Sequence, residues 1–154
     1  MRFKYSTWIN RVESNIQLPN TYRHLSMPEG IRSAMSRNPS KTAYKHGNKK
    51  RTYKDLVQRM DRISSGLLHH LNPSEGHVAI VASNSIEYME IVLGASQAGI
   101  PIATVNPKLS GKEIKAICDD AEAKILFMDQ ASYMALENVV FSTVEKIIVI
   151  GSDL

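Results

Sequence analysis

SQAGIPIATVNPKLSGKEI, Ser96 to Ile114, sets the fold. An apolar helical pattern stops at Gly99, a residue that ends helices without a Cβ penalty. Pro101 to Val105 is a short β-branched run that ends at Asn106-Pro107. Ser110 and Glu113 then have the spacing of a capping box, which opens the next helix. Helix, strand and helix within so few residues is the middle of a βαβ repeat.

Working outward, the same unit recurs. His77 to Ser83 reads as a strand, Asn84 to Ala98 as a helix, Lys124 to Met128 as a third strand, Asp129 as the cap of a short helix, and Lys146 to Ile150 as a fourth strand. Counted from Val78, Pro101, Lys124 and Lys146, the strand starts are 23, 23 and 22 residues apart. Continuous apolar strands alternating with helices require a parallel sheet covered on both faces. The fold class is therefore α/β: a mostly parallel sheet with helices on both faces, preceded by a short hairpin. The hairpin is predicted from two short runs around His46-Gly47-Asn48. Thr52 and Asp55 form a second capping box. Leu56, Met60, Ile63, Leu67 and Leu71 follow at three- and four-residue spacing, a long amphipathic helix that ends at Asn72-Pro73. Pro28-Glu29 opens an earlier helix with Ile31, Ala34 and Met35 on one face. Trp8, Ile9, Val12 and Ile16 have the spacing of another.

The 154 residues are 43% hydrophobic and 22% charged, with a net charge of +4, the balance of a globular protein large enough to bury a core. A single cysteine, Cys118, excludes an internal disulfide and suits a reducing compartment. On the apolar helix face with Ile114 and Ile117 it reads as a buried structural thiol. The polar start lacks a secretory h-region, and the charge-free run Ile91 to Pro107 is short for a bilayer. A cytoplasmic location with no transmembrane segment is the expectation. His69 and His70 are adjacent and diverge on a helix, so no metal site is expected. Lys41 to Arg62 carries Lys41, Lys45, Lys49, Lys50, Arg51, Lys54, Arg59 and Arg62 against Asp55 and Asp61. A solvated basic hairpin is favoured there, with no nucleic acid as partner.

At this point the residues resemble a known family. RTYKDL, Arg51 to Leu56, resembles the first core motif of the AMP-forming adenylating enzymes. SQAGIPIATVNP, Ser96 to Pro107, resembles their second, a helix ending in Ala-Gly and a strand ending in Asn-Pro. HVAIVASNSIEYMEIVLG (His77 to Gly94) and EIKAICDDAEAKILFMD (Glu113 to Asp129) are similar to the family's sequence around these motifs. The motif positions are Thr52, Tyr53, Leu56, Ala98, Gly99, Asn106 and Pro107. Thr104 to Ser110 looks closer to the acyl- and aryl-CoA synthetases than to peptide-synthetase adenylation domains.

The resemblance implies a two-step reaction in a full-length enzyme. A carboxylate attacks the α-phosphate of Mg-ATP, giving an acyl-adenylate and pyrophosphate, and coenzyme A then displaces AMP. The family's Ser/Thr/Gly-rich phosphate loop ending in lysine is not found here. Ser64-Ser65-Gly66 lies inside the leucine-periodic helix, and Gly94 and Gly99 are followed by Ile100-Pro101 instead of Lys-Ser/Thr. The expectation is a chain with residues 1–27 as an N-terminal arm and 28–154 as an α/β subdomain truncated before that loop. It would be scaffold, inactive alone, with no catalytic residue and no cofactor of its own; Mg-ATP and coenzyme A would belong to the full-length enzyme. The remainder of the synthetase chain is the expected partner, and an exposed apolar face makes a homodimer a second expectation. Asn84 and Asn106, at strand carboxyl ends, are the weak cofactor-contact candidates; each can equally cap or turn the backbone. The alternative is a non-catalytic binding module on the same fold. The carboxylic acid is not legible.

Overall fold

The computed structural model describes residues 26–151. The helical pattern at Trp8 to Ile16 lies outside them. The elements are α1 (Met27–Arg37), β1 (Thr42–His46), β2 (Lys49–Thr52), α2 (Tyr53–His70), β3 (His77–Val81), α3 (Ile86–Ala98), β4 (Ile102–Val105), α4 (Gly111–Asp120), β5 (Ala123–Asp129), α5 (Gln130–Ala135) and β6 (Lys146–Ile150).

Each helix starts where a side chain can accept an orphan backbone N–H. Ser26, Thr52 and Ser110 form reciprocal capping boxes with Glu29, Asp55 and Glu113. Ser85 caps α3 and Asp129 caps α5 through single side-chain acceptors. Gly99 closes α3 at φ 69°, the left-handed conformation expected of it. In the hairpin, Gly47 and Asn48 form the two-residue turn, with Gly47 at φ 55°.

The four later strands form one parallel sheet in the order β4-β3-β5-β6. From β3 the chain crosses to one side, then returns over β3 to continue on the other. The apolar faces of α2 and α3 pack on one side of the sheet, against Val78, Ile80, Ile125 and Phe127. Ile114 and Cys118 of α4, with Leu136 after α5, cover the other, against Ala79, Val81, Leu126 and Met128. A crossover that reverses direction while its helix changes face keeps the same hand. Val78, Ala79, Ile80 and Val81 are all fully buried, so β3 is core on both faces. Burying a Val or Ile side chain there contributes about 1.5–3 kcal/mol.

Two features depart from the sequence reading. Ile117 was placed on the core face of α4 with Ile114 and Cys118, but it is 38% exposed. It lies three residues from Ile114, at the margin of a stripe that this ten-residue helix leaves narrow. The basic hairpin is only partly a solvated surface. Arg51 Nε and Arg59 Nε lie 2.8 Å and 2.9 Å from the two carboxylate oxygens of Glu90, which is fully buried in α3. Asp61 likewise accepts from Arg32 and, at 2.8 Å, from Gln97. These bonds tie α1, the hairpin and α2 to α3. Gly94 allows the closest approach of α3 to α2: a Cβ there would stand 2.5 Å from Ile63 Cγ2.

The Glu90 clamp predicts an order of destabilisation. Glu90→Gln leaves two arginines that still reach water and is expected to cost about 1–2 kcal/mol. Removing both partners, Arg51→Ala with Arg59→Ala, strands a buried carboxylate and should cost about 3–5 kcal/mol. Equilibrium urea unfolding measures both, and the reverse order would refute the clamp.

Candidate functional site at the carboxyl edge of the sheet

Strands β3, β4 and β5 end at Val81, Val105 and Asp129, and the loops beyond them share one edge. Between the ends of β3 and β4 lies a cleft of about 350 Å³. Ser83, Asn84, Thr104, Asn106 and Lys108 supply its polar groups and Tyr88 part of its apolar wall. Sheet order reverses between β3 and β5, and a second recess of about 290 Å³ opens there, lined by Asn84, Asp129 and Gln130 among others. Open α/β sheets bind ligands at such a reversal.

The fold thus brings Asn84 and Asn106 to one cleft. They are not equivalent. Asn106 Oδ1 accepts the Lys108 N–H at 3.0 Å, and its carbonyl accepts the Leu109 N–H at 3.2 Å. Asn106 therefore turns the backbone and leaves its amide NH2 for the cleft. Asn84 is exposed, lines both recesses, and makes no side-chain hydrogen bond among the described residues. The other motif positions serve the frame. Thr52 caps α2, Leu56 is buried, and the Tyr53 N–H donates to the Lys41 carbonyl at 3.0 Å. Ala98 and Gly99 end α3, which runs back across the sheet, so they lie at the opposite edge from Asn84. Pro107 follows Asn106 in the cleft wall.

Asp129 was legible only as a cap. Its carboxylate accepts the Ser132 N–H at 2.8 Å and, through its other oxygen, the Ser83 N–H at 2.8 Å. That second bond joins the β3 and β5 loops across the reversal point. Burial raises the Asp129 pKa, but the hydrogen bonds from Ser83 and Ser132 outweigh it and hold the group below its ordinary value. On the far face of the sheet, Lys115 and Ser142 hold Asp119 down at about 2. Burial, aided by the Asp119 charge, pushes the Cys118 thiol up to about 11.

Chemically, the edge offers amides, hydroxyls and one amine, with two carboxylates: Asp129, taken by two backbone donors, and Glu87, 3.7 Å from Lys49. Such a set suits a ligand bearing hydroxyl or amide groups. It does not fit a divalent cation or the triphosphate of Mg-ATP, which need free carboxylates or converging donors. No three of His, Cys, Asp or Glu converge as a metal set among the described residues, and none of their helices is long and apolar enough to cross a membrane.

Residues 31–153 match the AMP-binding enzyme family. The chain belongs to that family. Among curated relatives, it is 33% identical over 79 residues to a 3-methylmercaptopropionyl-CoA ligase of Ruegeria pomeroyi, covering 50% of this chain and 15% of that one. It is 25% identical over 138 residues to a long-chain-fatty-acid–CoA ligase of Salmonella typhimurium, covering 88% and 25%. Among solved structures, coronafacic acid ligase from Pectobacterium brasiliense superposes with a TM-score of 0.75 at 20% identity, over 84% of this chain and 26% of that one. At that identity the likeness is one of fold. It joins the sheet order and helical layers in identifying the N-terminal α/β architecture of the acyl-CoA synthetases. The chain spans about a quarter or less of these three ligases.

Two outcomes follow from the geometry. Asp129→Ala should destabilise by about 1–2 kcal/mol, the cost of a lost cap and a lost loop tether. Because the folded pKa is depressed, that contribution is present above the unfolded value of about 4 and fades as pH falls through the folded value. Urea midpoints at pH 7, 5 and 3.5 should therefore converge for the two proteins only at the acid end. Cys118 should resist iodoacetamide at pH 8 in the native chain and label fully in 8 M urea; rapid native labelling would contradict its burial.

Proposed function

We propose that this chain is the N-terminal part of an ATP-dependent acyl- or aryl-CoA ligase and acts there as scaffold. In the complete enzyme a carboxylate and Mg-ATP would give an acyl-adenylate and pyrophosphate, and coenzyme A would then take the acyl group. Residues 1–27 would form an arm and 28–154 the α/β subdomain. The family match over residues 31–153, with only 25% of the Salmonella typhimurium relative covered, carries this reading.

The carboxyl edge supports a wall rather than a reaction centre. Asn84 and the free amide of Asn106 present hydrogen-bonding groups to a ligand assembled with the rest of the enzyme. The side chains that would drive phosphoryl chemistry are supplied by the remainder of the synthetase, the partner for which Met134 (63% exposed) and Val140 (81% exposed) leave apolar surface. A second copy of the chain is the other occupant of that surface.

The test is pyrophosphate release. The purified 154-residue chain, given Mg-ATP, coenzyme A and a panel of aliphatic and aryl acids, should release none above background. A polypeptide extending past Leu154 through a Gly/Ser/Thr-rich loop ending in lysine should release it with at least one acid, and Asn84→Ala in that longer protein should raise KM more than it lowers kcat. Turnover by the short chain would overturn the scaffold reading.

A further inference from the structure

Asn84 is the one residue shared by three recesses. It lines the two at the carboxyl edge and a third, mainly apolar cleft of about 570 Å³, where α1, the hairpin, α2 and the start of α3 meet. The placement of this side chain therefore bears on all three. The loop that carries it runs from Ala82 to Ser85, between β3 and α3. It is fastened on both sides of Asn84. Ser85 Oγ accepts the Tyr88 N–H at 3.0 Å, which fixes the loop to the first turn of α3. The Ser83 N–H donates to Asp129 Oδ2 at 2.8 Å, which fixes it to the end of β5.

The bond from Ser83 is more than a helix cap requires. A cap needs one oxygen, and Asp129 Oδ1 supplies it by accepting the Ser132 N–H at 2.8 Å. Ser83 is exposed, so water could satisfy its N–H. The second oxygen instead reaches 46 residues along the chain. It takes hold of the residue next to Asn84, whose own side chain has no hydrogen-bond partner among the described residues. A carboxylate suits this task because it has two acceptor oxygens and no donor. An amide has one acceptor oxygen, and a serine hydroxyl is too short to span both N–H groups.

We propose, resting on the reading of the carboxyl edge as one wall of a ligase site, that Asp129 is a positioning residue. By holding the Ser83 N–H it sets the direction in which Asn84 presents its amide to a bound substrate. It acts through the loop rather than on the substrate.

Asp129→Ser and Asp129→Asn separate this role from the cap, because serine and asparagine also cap helices well and neither can serve both N–H groups. In the 154-residue chain, NMR should show the Ser83 amide of Asp129→Ser exchanging with water about fivefold faster, the loss of one ordinary hydrogen bond, with the Ser132 amide unchanged. The longer ligase is then assayed with Mg-ATP, coenzyme A and an acid of the panel that it turns over. Whichever KM Asn84→Ala raises should rise about fivefold in Asp129→Ser as well, with kcat within about twofold. Adding Asn84→Ala to Asp129→Ser should bring no further rise, because the two changes remove one interaction. Asp129→Asn should give the same KM pattern, and it carries the test if Asp129→Ser fails to fold. Unchanged Ser83 exchange, additive effects on KM, or a KM raised by Asn84→Ala alone would overturn the positioning role and leave the scaffold reading standing. If the longer protein turns over no acid, or Asn84→Ala moves no KM, the wall reading falls and the positioning role falls with it.

Discussion

Strand β3 is covered on both faces, and most of the architecture follows from that constraint. Its four apolar residues from Val78 to Val81 admit no water, so helices must lie above and below. Parallel neighbours on both sides then require crossovers, and those crossovers deliver every strand's carboxyl end to one edge. Residues at that edge are released from packing. Ser83, Asn84, Asn106 and Lys108 are exposed there, a few residues from side chains that are completely buried.

A second constraint fastens the N-terminal layer to this sheet. Glu90 is fully buried on the side of α3 facing α2, where a lone carboxylate would be costly. Two arginines from separate elements, β2 and α2, satisfy both of its oxygens. The pair of bonds fixes the hairpin relative to α3 and so shapes the cleft between them. Replacing such a cluster with apolar side chains could leave stability unchanged; what the charges specify is the placement of the hairpin.

Signals within a few residues of one another were legible in the sequence. Strand starts fell within one residue of those observed, because each apolar run is bounded by turn chemistry. The caps at Thr52, Ser110 and Asp129 were legible because their partners sit three residues away. Interactions between distant segments were not. Glu90 lies 39 residues from Arg51 and 31 from Arg59, and Asp129 lies 46 from Ser83. Nothing local distinguishes a paired arginine from a solvated one. The exposure of Ile117 had the same origin, since a helical stripe gives direction but not how far its neighbours extend. The site was legible only as two asparagines at strand ends. That they share a cleft depends on β3 and β4 being adjacent, and that Asn106 is half occupied by its own turn depends on backbone geometry.

The charge distribution then separates structural from available groups. Arg32, Arg51, Arg59, Lys115 and Lys124 each meet an acid at close range, so their charges serve packing. Lys45, Lys50 and Lys108 have no such partner among the described residues, and two of them border recesses, Lys45 the apolar cleft and Lys108 the carboxyl edge. Lys41, Lys54, Arg62 and Lys112 likewise meet no acid among the described residues, so the unpaired positive charge is spread over the surface, these openings included. Potential focused over a concave surface attracts anions. The two openings differ in what they add to that attraction: hydrogen-bonding amides at the sheet edge, and apolar area between the hairpin and α3.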